Sequence, residues 1–190
     1  MKSIVWDLDD VLNQFTREWF ARQWKHERPE TLLRFEDLRS NPPLPELGVT
    51  LDTYLQSLDR FERDVAPWIA PRPDLLEWFG RNGERFHNVV LTARPLTSTA
   101  SAAVWVFTHF GRWVRGFHCA PSPRADDDSP RYDAGKVDVL RRLGSVDYFV
   151  DDSRANVDAA EAIGIRPLLF PQPWNPDAKP PPELLAELVP

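Results

Sequence analysis

Carboxylates stand in two tight groups in this 190-residue chain, Asp7 with Asp9 and Asp151 with Asp152, each at the end of a short apolar run. Side chains two apart in an extended segment point the same way, so Asp7 and Asp9 can face a common point. Two like charges 4 Å apart repel by about 4 kcal/mol at an effective dielectric near 20. Four carboxylates brought together therefore need a cation among them, or one must keep its proton. An all-oxygen ligand set selects a hard ion, and Mg²⁺ is the usual choice where a phosphate completes its shell. Thr92 ends another apolar run and offers a hydroxyl, and Lys136 opens a helical pattern ahead of the second acid pair. A hydroxyl and an ammonium are what a phosphoryl group needs opposite a metal. Each has a plainer use alone: the acids as turns or helix caps, Thr92 as a strand end, Lys136 as a solvated side chain. Their order along the chain points to phosphoryl chemistry.

Positioning these groups falls to alternating strands and helices. Residues 3–8, 87–92, 146–151 and 165–170 read as strands, with a weaker one at 116–120. They are near-continuous β-branched and aromatic runs, which suits strands covered on both faces. Helical patterns start at Pro73 and end by Gly83, run from Thr97 to Gly111, from Gly135 to Gly144, and from Ser153, a helix N-cap, to Gly164. Strand and helix in alternation predict an α/β, doubly wound parallel sheet. In such sheets sites form at the carboxyl ends of strands, where both acid pairs fall. Residues 14–72 break the rhythm. Gln14–His26 reads as helix, a second short helical stretch precedes the Pro-rich Asn41–Pro45, and Leu51 to Val65 is amphipathic. The Pro-rich tail after Phe170 is expected to wrap the core, with a last helical turn at 183–188.

Composition narrows the classes. A chain of this length with 42% hydrophobic residues holds one globular unit, and its core needs no disulfide or metal staple. The single Cys119 excludes a disulfide framework and any cysteine-based zinc site. No run reaches the length of a membrane span, and acids occupy positions 7, 9 and 10, where a signal peptide would be apolar. A cytoplasmic protein is expected. A net charge of −6 argues against a sequence-independent grip on nucleic acid. It leaves room for a small phosphorylated substrate, because one local cation can outweigh a distant average. The 19 prolines cluster at 42–45, 67–73, 121–130 and 171–182, as punctuation between elements.

DLDDVL at 7–12, LTAR at 91–94, Lys136 and FVDDS at 149–153 together resemble the four motifs of the haloacid dehalogenase superfamily of phosphatases. The resemblance implies a Rossmann-like core, residues 1–13 and 73–190, with a helical cap, residues 14–72, inserted after the first strand. Asp7 would be the nucleophile and Asp9 the general acid and base. Thr92, followed by Ala93 and Arg94, would bind the phosphoryl group, with Lys136 steadying nucleophile and phosphate. Asp7, Asp151 and Asp152 would hold Mg²⁺ together with Asp9, the last through its backbone carbonyl. The implied activity is Mg²⁺-dependent hydrolysis of a small phosphomonoester through an aspartyl-phosphate. Two positions depart from the motif, Asp10 for the usual glycine and Val11 for the usual threonine. DLDDVLNQF, a helical cap and APRPDLLEWF are similar to the 5′(3′)-deoxyribonucleotidases, in which an aromatic cap surface stacks the base. On that resemblance Phe15 and Trp19, within about three helical turns of Asp7, are the cap residues expected to touch substrate, and a nucleoside monophosphate is the substrate class.

Other classes share these parts. Response-regulator receivers use acids, a hydroxyl and a lysine as a switch, but they place the lysine on the last strand, whereas Lys136 precedes Asp151. A phosphotransferase or phosphomutase shares every motif, and a non-catalytic descendant would not need all of them.

Overall fold

Five short strands carry the fold in a computed structural model that describes residues 1–124 and 127–190: β1 (Ser3–Trp6), β2 (His87–Thr92), β3 (Val114–Cys119), β4 (Tyr148–Asp151) and β5 (Arg166–Leu169). The two residues left out fall in the proline cluster at 121–130. All pairings are parallel, in the order β3-β2-β1-β4-β5. The chain builds from β1 through β2 to β3, then crosses back to lay β4 on the other side of β1. The order reverses between β1 and β4, where open α/β sheets form their crevice.

Between β1 and β2 come α1 (Phe15–Trp19), α2 (Lys25–Glu27), α3 (Leu44–Leu47), α4 (Leu51–Asp64) and α5 (Pro73–Asn82). Then follow α6 (Leu96–Phe110), α7 (Lys136–Leu143), α8 (Arg154–Glu161) and α9 (Pro181–Ala186). Ile4 and Trp6 face one side of the sheet with Val90 and Val150, under Phe79 of α5, Val106 of α6 and Leu184 of α9. Val5, Val89, Leu91 and Phe149 face the other, under Leu140 of α7 and Ala160 of α8. Both faces are covered, which is why the strands read as unbroken apolar runs. The expected α/β doubly wound parallel sheet is present.

Residues 15–69 pack a separate hydrophobic cluster around Trp19, Phe20, Leu38 and Phe61, all at 0–1% exposure. Residues 20–24 continue α1 into α2 as one wider helical turn. The short helical stretch expected before Asn41–Pro45 is a single 3₁₀ turn at Phe35–Asp37, and a further helix, α3, begins inside the Pro-rich segment and is ended by Gly48 in the left-handed conformation (φ 64°). Proline is tolerated in a first turn, whose N–H groups have no helical partner, and that lets α3 start after Pro43. The same rule moves the last helix forward to Pro181–Ala186 from the expected 183–188. The tail does wrap the core: Leu184, Leu185 and Leu188 join the cluster under β1.

Register then places the chemistry. Trp6 pairs with both Val90 and Val150, so Asp7 emerges next to Asp151, and its N–H donates to the Val150 carbonyl at 2.8 Å. Thr92 ends the neighbouring β2. A crossover helix runs antiparallel to the strands, so Lys136, the first residue of α7, returns to the same edge.

Candidate active site

Lys136 sits at the centre of this edge. Its Nζ lies 2.6 Å from Asp7 Oδ1 and 2.7 Å from Asp151 Oδ2. All three side chains are buried. Asp151 is fixed by two donors, the Ser153 N–H at 2.8 Å and Asn156 Nδ2 at 3.1 Å. Asp152 accepts from Trp174 Nε1 at 3.0 Å and Asn41 Nδ2 at 3.2 Å. One carboxylate oxygen from each of Asp7, Asp151 and Asp152 lies within 4.8 Å of the others. Burial pushes the Asp7 carboxyl well above the ordinary range; Lys136 pulls it back, and Asp151 and Asp152 push it up again. Asp152 is raised for similar reasons, by burial and then by Asp10 and Asp151. Burial pulls the Lys136 ammonium down, but Asp151 and Asp7 outweigh it and raise it. Three buried carboxylates against one ammonium leave a surplus of negative charge on oxygen ligands. That donor set fits a hard divalent cation such as Mg²⁺.

The loop after β1 turns sharply. Asp9 is extended (φ −79°, ψ 135°) and Asp10 is left-handed (φ 63°), a conformation that glycine takes freely and aspartate tolerates. Asn13 holds the loop together, accepting from the Asp10 and Phe15 N–H groups and donating to Asp9 Oδ1 at 3.0 Å. The Asp10 side chain turns toward α1, where it accepts the Thr16 N–H at 2.9 Å and the Thr16 hydroxyl at 2.5 Å. It thereby caps the first turn of α1, and burial pushes its carboxyl up to about 7. The Asp9 carboxylate is outside the cluster of three, so any contribution of Asp9 to a metal falls to its backbone carbonyl. Arg94 forks onto it, Nε to Oδ2 and Nη2 to Oδ1, both at 2.7 Å, with its guanidinium 4.9 Å from the centre of the Phe15 ring. Arg94 is thus spent on Asp9, and its guanidinium is not a free phosphate cation.

A cavity of about 350 Å³ opens over these groups. Asp7, Asp9, Thr92, Ala93, Arg94, Lys136 and Asp152 line its floor, and Phe15, Tyr54, Leu58 and Glu62 line the facing wall. Phe15 is where the sequence places it. Trp19 is not: it is 0% exposed, its Nε1 donates to Ser57 Oγ at 3.1 Å, and its ring packs edge-on against Tyr54. It belongs to the cluster's own core because the helix turns that face inward, away from the cavity. Asn13, Asn41, Glu62, Arg124, Asn156 and Trp174 were not singled out in the sequence. For Glu62 a signal existed, an acid within the apolar stripe of α4. Burial pushes its carboxyl up to about 7, against the pull of Arg94 and the Ser98 hydroxyl.

No protein-family model matches the sequence, and no curated protein matches it. Solved structures do match along nearly the whole chain. A haloacid dehalogenase-like family hydrolase from Streptococcus pneumoniae superposes with a TM-score of 0.63 at 15% identity, covering 98% of this chain and 97% of its own. This chain has the haloacid dehalogenase-like fold. A candidate phosphoglycolate phosphatase from Lactobacillus delbrueckii subsp. bulgaricus follows at 0.62 and 12% identity, covering 97% and 96%. Protein Tyrosine Kinase A of Mycobacterium tuberculosis follows at 0.61 and 15%, covering 88% and 82%. The likeness is one of fold; it does not single out a 5′(3′)-deoxyribonucleotidase branch. Among the described residues no helix is long and apolar enough to cross a membrane.

Proposed function

We propose that the chain is a phosphomonoester hydrolase acting through an aspartyl-phosphate on Asp7. The observation that carries this is Lys136 bridging Asp7 and Asp151, with Asp152 beside them, at the floor of a cavity that also holds Thr92 and Asp9. A carboxylate oxygen of Asp7 attacks phosphorus as the ester P–O bond breaks. Asp9, held at the cavity floor by Arg94 and Asn13, gives the departing oxygen a proton. Asp9 then takes a proton from the water that attacks the aspartyl-phosphate, which frees phosphate and restores Asp7. Thr92 and Lys136 supply the hydroxyl and the charge for the phosphoryl oxygens. Asp7, Asp151 and Asp152, with the Asp9 backbone carbonyl, would hold Mg²⁺, which when bound supplies the positive charge these carboxylates lack.

On this reading residues 1–13 and 73–190 form the catalytic core and 14–72 a cap that shapes the leaving-group end. The substrate is a small phosphorylated metabolite, with nucleoside monophosphates among the esters to assay. The lone Cys119 suits a reducing, cytoplasmic setting. Transfer to an acceptor other than water would use the same groups, and one fold neighbour is a protein tyrosine kinase.

Rapid-quench kinetics with an aryl phosphate test the reading. The wild type should need Mg²⁺ and stop in excess chelator. Asp9→Asn should still release a burst of phenolate, because a stable leaving group needs no proton, and then turn over about 10²–10⁴-fold more slowly. Asp7→Asn should form no phosphoenzyme. Equal bursts from both variants would mean that the nucleophile is misassigned.

A further inference from the structure

The wall opposite the phosphoryl end carries chemistry that hydrolysis does not use. Helix α4 turns Tyr54, Leu58 and Glu62 into the cavity, three residues spaced four apart and so aligned on one side of the helix over about 12 Å. Each is more than nine-tenths buried, at 5%, 8% and 5% exposure. One Glu62 carboxylate oxygen accepts from the Ser98 hydroxyl at 2.5 Å; the other has no donor among the described residues. The Tyr54 hydroxyl has no partner among them either. Neither atom is sealed off, since among the described residues the one fully enclosed side-chain polar atom without a partner is Trp24 Nε1. Two unpaired polar atoms therefore look into a cavity of about 350 Å³.

The cations nearby are already engaged. Arg94 is forked onto Asp9. Arg124 is forked onto Asp59 through Nε and Nη2 at 2.7–3.0 Å, and its Nη1 donates to Ser122 Oγ at 2.9 Å. A carboxylate on the leaving group would find no unpaired guanidinium among the described residues here and would face Glu62. A hydroxyl or amino group would supply the donor that the second Glu62 oxygen lacks, and the Tyr54 hydroxyl, which can donate or accept, would serve either kind of group. A buried acceptor left unpaired costs more than a formed hydrogen bond gains, so the wall penalises a leaving group that brings no donor.

Resting on the phosphoryl-transfer reading above, we propose that the Tyr54–Leu58–Glu62 stripe of α4 selects the leaving group. The substrate is then a phosphomonoester whose short carbon frame bears hydroxyl or amino donors, not one that ends in a carboxylate. The cavity is at the small end for ligand sites, which suits a frame of about one sugar ring.

The test compares kcat/KM for glycerol 3-phosphate, ribose 5-phosphate and phosphoethanolamine with that for phosphoglycolate, and measures binding of each to the Asp7→Asn variant by calorimetry. The donor-bearing esters should lead in both measurements. Assayed at about pH 8, above the Glu62 value of about 7, Glu62→Gln should shrink the donor-to-carboxylate ratio by about 10- to 100-fold, the range for a hydrogen bond to a charged group, whereas Tyr54→Phe, which removes a group able to donate or accept, should leave that ratio nearly unchanged. A merely structural role for Glu62 would lower all esters together and leave that ratio unchanged in Glu62→Gln, which would overturn the proposal, as would a wild-type preference for phosphoglycolate. Hydrolysis of p-nitrophenyl phosphate by the wild type separates the two levels. If it proceeds while the ratios fail, only the leaving-group proposal falls. If neither hydrolysis nor binding of any ester occurs, the phosphatase reading falls and takes this one with it.

Discussion

Replacing Lys136 with Met keeps the side chain's length and apolar stem but removes the ammonium that lies 2.6 Å from Asp7 and 2.7 Å from Asp151. Lys136 is 5% exposed, so water cannot take over its role. Removing one partner of a buried ion pair costs about 3–5 kcal/mol, because the remaining charge is left uncompensated. Here two carboxylates lose the same partner with a third beside them, and protonation of one of them caps the loss. At about 2–4 °C per kcal/mol for a chain of this size, the melting midpoint should fall by about 6–20 °C in chelator. Mg²⁺ bound to the same carboxylates returns about 2.7 kcal/mol when its concentration is 100 times Kd. It should therefore raise the variant's midpoint more than the wild type's, since the variant's carboxylates have no other cation. Circular-dichroism melts of both proteins, in excess chelator and in saturating Mg²⁺, measure this. A fall of less than about 3 °C, or a Mg²⁺ response no larger in the variant, would refute the account of Lys136 as the neutralising charge of this cluster.

Trp19→Ala should cost about 3–5 kcal/mol of stability by opening a void in the cap cluster, and should lower kcat/KM for every ester by a common factor. Loss confined to one substrate class would put Trp19 back at the substrate. Glu62 titrates at about 7 when folded against an ordinary 4.5, so between those values the native state binds more protons than the unfolded one. Its contribution then disfavours folding increasingly as pH rises through that window, by at most on the order of 3 kcal/mol. Glu62→Gln keeps the bond to Ser98 without the charge, so urea melts should show it gaining on the wild type between about pH 5 and about pH 8; a constant difference would refute the shifted carboxyl.

Much of this protein was legible because its signals are local. Whether a strand is covered on both faces is written in its unbroken apolar run, and β1, β2 and β4 were found that way. Asp7, Asp151, Thr92 and Lys136 follow from adjacency: each stands at an element's end, and parallel crossovers bring those ends to one edge. Asp10 shows where local reading stops. Its backbone could be anticipated from a motif that usually has glycine there, but its side chain could have turned toward the carboxylates. Thr16, at the start of α1, offers it two donors, which hold it outside the cluster of three yet close enough to raise Asp152. Periodicity fixes which residues share a face of a helix but not what that face meets, so Phe15 and Trp19 looked equivalent until packing put one on the cavity and the other in the cluster core. Arg94 found Asp9 across 85 residues, and Trp174 of the tail reached Asp152. Neither spacing carries a local signal. Glu62 and Tyr54 became a facing wall for the same reason: the chain sets the direction of a side chain relative to its own helix, and only the packing of α4 over the sheet edge decides what lies opposite.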